Sequence, residues 1–139
     1  VINKGFEQLR VTAAYPNVNL KVVGTHSGIS IGEDGPSQMS IEDLSLACNL
    51  PGFSVLSPAD DLSMDRIIHL AAGHVGPVFV RAGRAKAPLI YTSDPGFRIG
   101  GSHTLLEGKD VCVFANGLLV AEAIRAAEQL DAEGISVRV

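Results

Sequence analysis

The sequence predicts an α/β fold built on a parallel sheet, and three observations carry that prediction. Short apolar runs alternate with amphipathic segments in the order strand, helix, strand, helix, strand. The strand runs, Leu20 to Gly24, Phe53 to Leu56 and Pro77 to Arg81, are continuous rather than alternating in polarity. Such strands are covered on both faces, which calls for a helical layer on either side of the sheet. At 139 residues, with 46% hydrophobic and 19% charged, the chain also has the composition of a protein that buries a core.

The elements follow in order. Phe6, Leu9 and Ala13 recur at helical spacing, so the segment from about Phe6 to Ala14 reads as the end of a helix that Tyr15-Pro16-Asn17 stops. After the first strand comes a long segment, Thr25 to Met39, with glycines at 28, 32 and 35; a connection of that length inside a compact domain is usually functional or mobile. Ser40 with Asp43 three residues on has the form of a capping box, and Leu44, Ala47 and Cys48 continue as a buried stripe until Pro51-Gly52. Ser57-Pro58 supplies a capping hydroxyl and a first-turn proline for the next helix, whose inner face is Met64, Ile67, Ile68 and Ala71 and which Gly73 closes.

From Ala82 to Gly96 periodicity is lost among Gly, Pro, Lys and Ser, the mark of a linker, and a second α/β unit is expected after it. Phe97 to Ile99 and Thr104 to Leu106 read as short strands and Val111 to Ala115 as a buried one. Leu118 to Ala132 reads as a helix with Val120, Ile124, Ala127 and Leu130 inward and Glu122, Arg125 and Glu128 outward. Gly134 caps it, and Ile135, Val137 and Val139 begin a strand. A strand-helix-strand unit this small covers one face of its sheet, so the expectation is pieces of two domains of something larger.

Charge and cysteine content narrow the function classes. Eleven Lys and Arg against fifteen Asp and Glu give a net charge of -4, a balance that disfavours phosphate backbones and anionic membranes. Aromatics are 5% and Trp is absent, leaving little for base stacking. The expected partners thus include neither nucleic acid nor membrane, and the cytoplasm is the default compartment in the absence of a spanning apolar run. Cys48 and Cys112 lack a C-x-x-C or His-rich companion, so both are expected as small buried apolar residues rather than metal ligands.

The segment that carries chemistry is GTHSGISIGEDGPSQMSIED, Gly24 to Asp43. It follows a parallel strand at its carboxyl end, where open α/β sheets bind ligands. Its glycines match neither the dinucleotide fingerprint nor the phosphate loop. Its content is the coincidence of His26 at the strand end, the acidic pair Glu33 and Asp34 between glycines, and a helix start directly after.

This segment, with Pro58-Ala59-Asp60 and Val80-Arg81 after it, resembles the pyrimidine-binding domain of the transketolase family, in the spelling of the carboxyl-terminal subunit of split bacterial and archaeal forms. The resemblance divides the chain into a partial pyrimidine-binding domain (1–84), a linker (85–96) and a partial carboxyl-terminal domain (97–139), and implies the three-layer parallel sheet of thiamine diphosphate enzymes. It further implies an enzyme of the pentose phosphate pathway that moves a two-carbon ketol unit between sugar phosphates. The implied cofactors are thiamine diphosphate, which supplies the electron sink, and magnesium. By position, His26 matches a histidine that holds the substrate phosphate and lower hydroxyls, Arg81 the arginine that pairs with that phosphate, and Asp34 the aspartate that reads a sugar hydroxyl. Gln38 stands where many members have a second histidine; glutamine hydrogen-bonds but does not titrate.

The same resemblance places the activating glutamate upstream and the metal and diphosphate holder on another domain or chain. It therefore implies a homo- or hetero-oligomeric parent and an isolated chain without activity, with no catalytic or metal residue of its own. Arg84 is near enough to replace Arg81 at the site. His69, His74 and His103 are read as structural or solvated, and Glu33 and Glu42 as supports of loop and helix. Two other readings stay open: a related thiamine diphosphate enzyme, namely deoxyxylulose phosphate synthase or a 2-oxoacid dehydrogenase β subunit, and a noncatalytic scaffold or regulatory partner.

Overall fold

The computed structural model describes residues 2–139. Helix α1 (Ile2–Leu9) runs into a π-helical turn (Arg10–Ala14). Then follow β1 (Lys21–Gly24), α2 (Asp43–Cys48), β2 (Ser54–Leu56), α3 (Asp61–Gly73) and β3 (Val78–Arg81). All pairings are parallel and the order is β1-β3-β2, with Lys21 and Ser54 both opposite Val78. The centre of the sheet is therefore β3, and its Val78, Phe79 and Val80 are fully buried.

Alternation along β3 builds the two faces. Val78 and Val80 pack with Leu56 and Ala71 on the side of α3, joined by Met64 and Ile67. Phe79 packs with Ile2 and Ala47 on the opposite side, under α1 and α2, joined by Leu9, Val22 and Val55. These are the three expected layers, helix on sheet on helix. Gly24 makes room for Phe79: a Cβ there would come within 2.9 Å of the ring's Cε2 and Cζ. Gly24→Ala must displace a ring at the centre of the core, and should cost about 1–3 kcal/mol, read as a lower urea midpoint with an unchanged slope.

Helix α3 starts later than Ser57-Pro58 suggests. Asp60 is its N-cap and accepts from the Ser63 N–H at 2.8 Å, while Ser63 Oγ accepts from the Asp60 N–H at 2.9 Å. This reciprocal box satisfies two amide hydrogens at once, which a hydroxyl at 57 does not. Helix α2 shows the reverse: the expected Ser40–Asp43 box is absent, Glu42 stands at the N-cap with no side-chain capping bond, its carboxylate accepting from Asn3 Nδ2 instead, and the Asp43 carboxylate turns inward to Arg81. On the same helix Cys48 is exposed rather than buried, because α2 is only 6 residues long and its covered side is taken by Asp43 and Ala47. On α3, Ile68 lies outside the inner face, 40% exposed.

The second sheet is smaller than the sequence suggests. Strand β4 (Val111–Cys112) pairs in parallel with β5 (Val137–Arg138) across α4 (Leu119–Asp131). The expected buried strand Val111 to Ala115 shrinks to two residues, with Val111 and Cys112 exposed and Phe114 91% exposed. Phe97–Ile99 and Thr104–Leu106 form no strands. Phe97 instead stacks edge-on against Tyr91 and His103, with centroids 4.9 and 5.0 Å away, and Leu106 exchanges backbone bonds with Val139. Val120 and Ala127 of α4 are buried as expected. Among the described residues no helix is long and apolar enough to cross a membrane.

Candidate functional site

The carboxyl ends of β1 and β3 set the site. Ala82 N–H donates to Gly24 O at 2.7 Å, and Ser27 N–H to Ala82 O at 3.3 Å, so the chain leaves β1 at Thr25 pinned against the residue after β3. His26 takes a left-handed backbone, φ 62°, which a residue with a Cβ holds only where its surroundings enforce it. Its Nδ1 is 2.9 Å from Thr25 Oγ1. A single 3-10 turn, Gly32–Asp34, then brings Asp34 back over the strand ends, where its Oδ2 lies 3.9 Å from His26 Nε2. Gly28 N–H donates to Ser40 O at 2.8 Å and closes the loop at its base.

One arginine ends β3 and another follows it, and they are used differently. Arg81 makes a bidentate pair with Asp43, Nε to Oδ2 at 2.8 Å and Nη2 to Oδ1 at 3.3 Å. Its side chain is 18% exposed and that of Asp43 4%. Arg84 comes to the loop instead, with Nε 3.0 Å from Asp34 Oδ2 and Nη2 3.4 Å from Glu33 Oε1. It is 43% exposed, and exposed pairs of this kind are worth about 0–1 kcal/mol. Removing one partner of a buried pair costs about 3–5 kcal/mol. An incoming anion can therefore take Arg84 from its carboxylates cheaply, and can take Arg81 only by stranding Asp43.

Of the four substrate residues expected from sequence, the structure brings His26 and Asp34 together and adds Arg84 to them. Gln38 lies exposed on the turn closed by its own N–H to Gly35 O, 3.2 Å. A cavity of about 590 Å³ opens beside the cluster, reached by Arg81, Arg84 and Lys86 and walled by Pro58, Met64 and Leu118. His26, Asp34 and Gln38 do not line it. A second cavity, about 610 Å³, lies between α3 and the second sheet and holds none of the expected site residues. Sequence reasoning missed Asp43 as the partner of Arg81; its only local signal, an acid at a helix start, has an ordinary reading in capping.

The described residues present no ligand set for magnesium. Among the described residues no three His, Cys, Asp or Glu side chains converge on one point, whereas magnesium needs a near-octahedral oxygen set. The two acids nearest the cluster, Glu33 and Asp34, are engaged by Arg84.

Comparison with known proteins identifies the family. The family model described as transketolase, pyrimidine binding domain, matches residues 2–88, and that of the transketolase C-terminal domain matches residues 100–139. Transketolase of Rattus norvegicus is 39% identical over 138 residues, 98% of this chain and 22% of that protein. A putative transketolase C-terminal section of Methanocaldococcus jannaschii is 37% identical over 138 residues, 98% of this chain and 44% of that protein. Among solved structures, a split-gene transketolase described as an inactive beta4 tetramer superimposes with a TM-score of 0.88 at 40% identity, over 98% of this chain and 43% of that one. The chain thus spans about a fifth of the full-length relative and under half of the split forms. With one family model covering residues 2–88 and these identities along nearly its whole length, the chain belongs to the transketolase family.

Proposed function

We propose that this chain supplies substrate contacts to a thiamine diphosphate-dependent transketolase that passes a two-carbon ketol unit between sugar phosphates, with the diphosphate and metal held by another domain or subunit. The observation that carries the reading is the convergence of His26, Asp34 and Arg84 at the ends of β1 and β3. An imidazole 3.9 Å from a carboxylate that a guanidinium pairs at 3.0 Å suits a polyhydroxylated anion: Arg84 takes the phosphate, His26 donates to phosphate or hydroxyl, and Asp34 accepts from a hydroxyl. Gln38, on the adjoining turn, offers a hydrogen bond to a sugar hydroxyl without a proton to transfer. Arg81 sits at the same strand end, and its pairing with Asp43 argues for a supporting place rather than direct phosphate contact.

The parent is proposed to be an oligomer, in line with the split relative described as a tetramer. Residues 1–84 and 97–139 would be parts of two domains joined by 85–96. The test is ketol transfer by the complete protein with thiamine diphosphate, magnesium and sugar phosphates; no transfer with any ketose phosphate donor rejects the reading. Asp34→Ala should bring acceptors that differ in one hydroxyl's configuration closer together in kcat/KM. A site built to pair a hydroxyl loses its preference when the partner goes, and an unchanged ratio between epimeric aldoses removes Asp34 from the site.

A further inference from the structure

We propose that Arg81 and Asp43 form a positioning pair that locks both ends of the loop carrying His26 and Asp34. The backbone of Arg81 stands in register with Gly24, the last residue before the loop. Its guanidinium reaches forward to Asp43, the first residue of the helix that ends the loop's excursion. One side chain therefore ties the exit of β1 to the entry of α2, across 38 positions of sequence. A planar fork on a carboxylate fixes orientation as well as distance, and the pair is nearly dry, with Asp43 4% exposed.

A Cβ at Gly28 would stand 3.9 Å from Arg81 Nη2, and one at Gly117, ahead of α4, 3.9 Å from Nη1. The guanidinium thus holds α2 directly and lies close to the loop and to the entry of α4. What the clamp holds is not a relaxed loop: His26 keeps a left-handed backbone, and Ser27 and Gly28 bridge to Ser40. The bonds of Ser27 to Ala82 and of Gly28 to Ser40 close the loop at its base, and the Arg81–Asp43 pair adds a side-chain tie between the strand end and the helix entry that set where His26 meets Asp34 and Arg84. The substrate side of this proposal rests on the transketolase reading; the mechanical side does not.

Three variants of the complete protein test it: Asp43→Asn, Arg81→Lys, and the double change Arg81→Met with Asp43→Leu. The last replaces a buried pair by apolar side chains, which commonly leaves folding intact. Amide exchange of Ser27 and Gly28 should quicken at least about tenfold in all three while that of Val78 to Arg81 holds. Ketol transfer should fall by roughly ten- to hundredfold in kcat/KM, as misplaced contacts do, equally for phosphorylated and unphosphorylated sugars. Arg81→Lys should retain part of the activity, having the charge without the fork. Unchanged exchange of the loop amides overturns the proposal, whatever the kinetics. A loss confined to phosphorylated sugars also overturns it, since Arg81 would then be a substrate contact. If wild type shows no ketol transfer at all, the transketolase reading fails while the exchange arm still decides the clamp.

Discussion

Arg84→Ala in the complete enzyme should raise KM for phosphorylated sugars roughly ten- to hundredfold and leave kcat nearly unchanged. The size comes from a charge-assisted hydrogen bond worth about 1.5–3 kcal/mol. The KM form comes from timing: the terminal phosphate is remote from the bonds that change, so its contact is the same in ground and transition states, and losing it removes uniform binding. Unphosphorylated sugars should be unaffected, because they have nothing for the guanidinium to hold. Releasing Asp34 and Glu33 costs little in the bound state, as both lie on the exposed side of the loop. Steady-state kinetics with matched pairs of phosphorylated and free sugars decide the matter. An equal effect on both classes would return the phosphate to Arg81 or place it elsewhere.

The contrast between the two arginines shows where sequence reading reaches its limit. Both stand at the end of the same strand, with two residues between them, and either position is compatible with an anion site. What distinguishes them is a partner 38 residues away. Asp43 is invisible as that partner in the sequence, since an acid at a helix start satisfies the local rule for capping. The rule fails here because α2 has a stronger use for the carboxylate: pairing a buried cation outweighs a cap worth about 1 kcal/mol.

The sheet was legible for the opposite reason. Parallel strands covered on both faces impose a continuous apolar run, and Val78, Phe79 and Val80 answer that demand directly, being fully buried. The same inference overshoots in the second unit. Val111 to Ala115 is as apolar as a central strand, yet β4 has only β5 beside it and Phe114 is 91% exposed. Apolar runs report a residue's preference for burial, and whether cover exists depends on neighbours that a local pattern does not specify. Phe97 illustrates the same point, finding cover against Tyr91 and His103 rather than in a strand.

Asp60→Ala should destabilise the fold by roughly 3–5 kcal/mol, on the scale of losing one partner of the Arg81–Asp43 pair. Asp60 is 4% exposed, and its carboxylate accepts three amide hydrogens, Ser63 on Oδ1 and both Ile90 and Tyr91 on Oδ2, each at 2.8 Å. The first caps α3; the other two staple the connection between the sheets to that helix. Burial pushes the pKa of Asp60 up, but the bonds from Tyr91, Ser63 and Ile90 together outweigh it and the net shift is downward. A carboxylate whose folded pKa lies below its unfolded value of about 3.9 contributes stability that is present in full above that value. The contribution is lost as pH falls through the lower, folded value. The stability difference between wild type and Asp60→Ala, measured by denaturant unfolding, should therefore stay constant from neutral pH to about pH 5 and shrink below about pH 4. A difference that grows on acidification would contradict the charge as the source. Loss of the staple should also show locally, as faster exchange of the Ile90 and Tyr91 amides than of those inside α3.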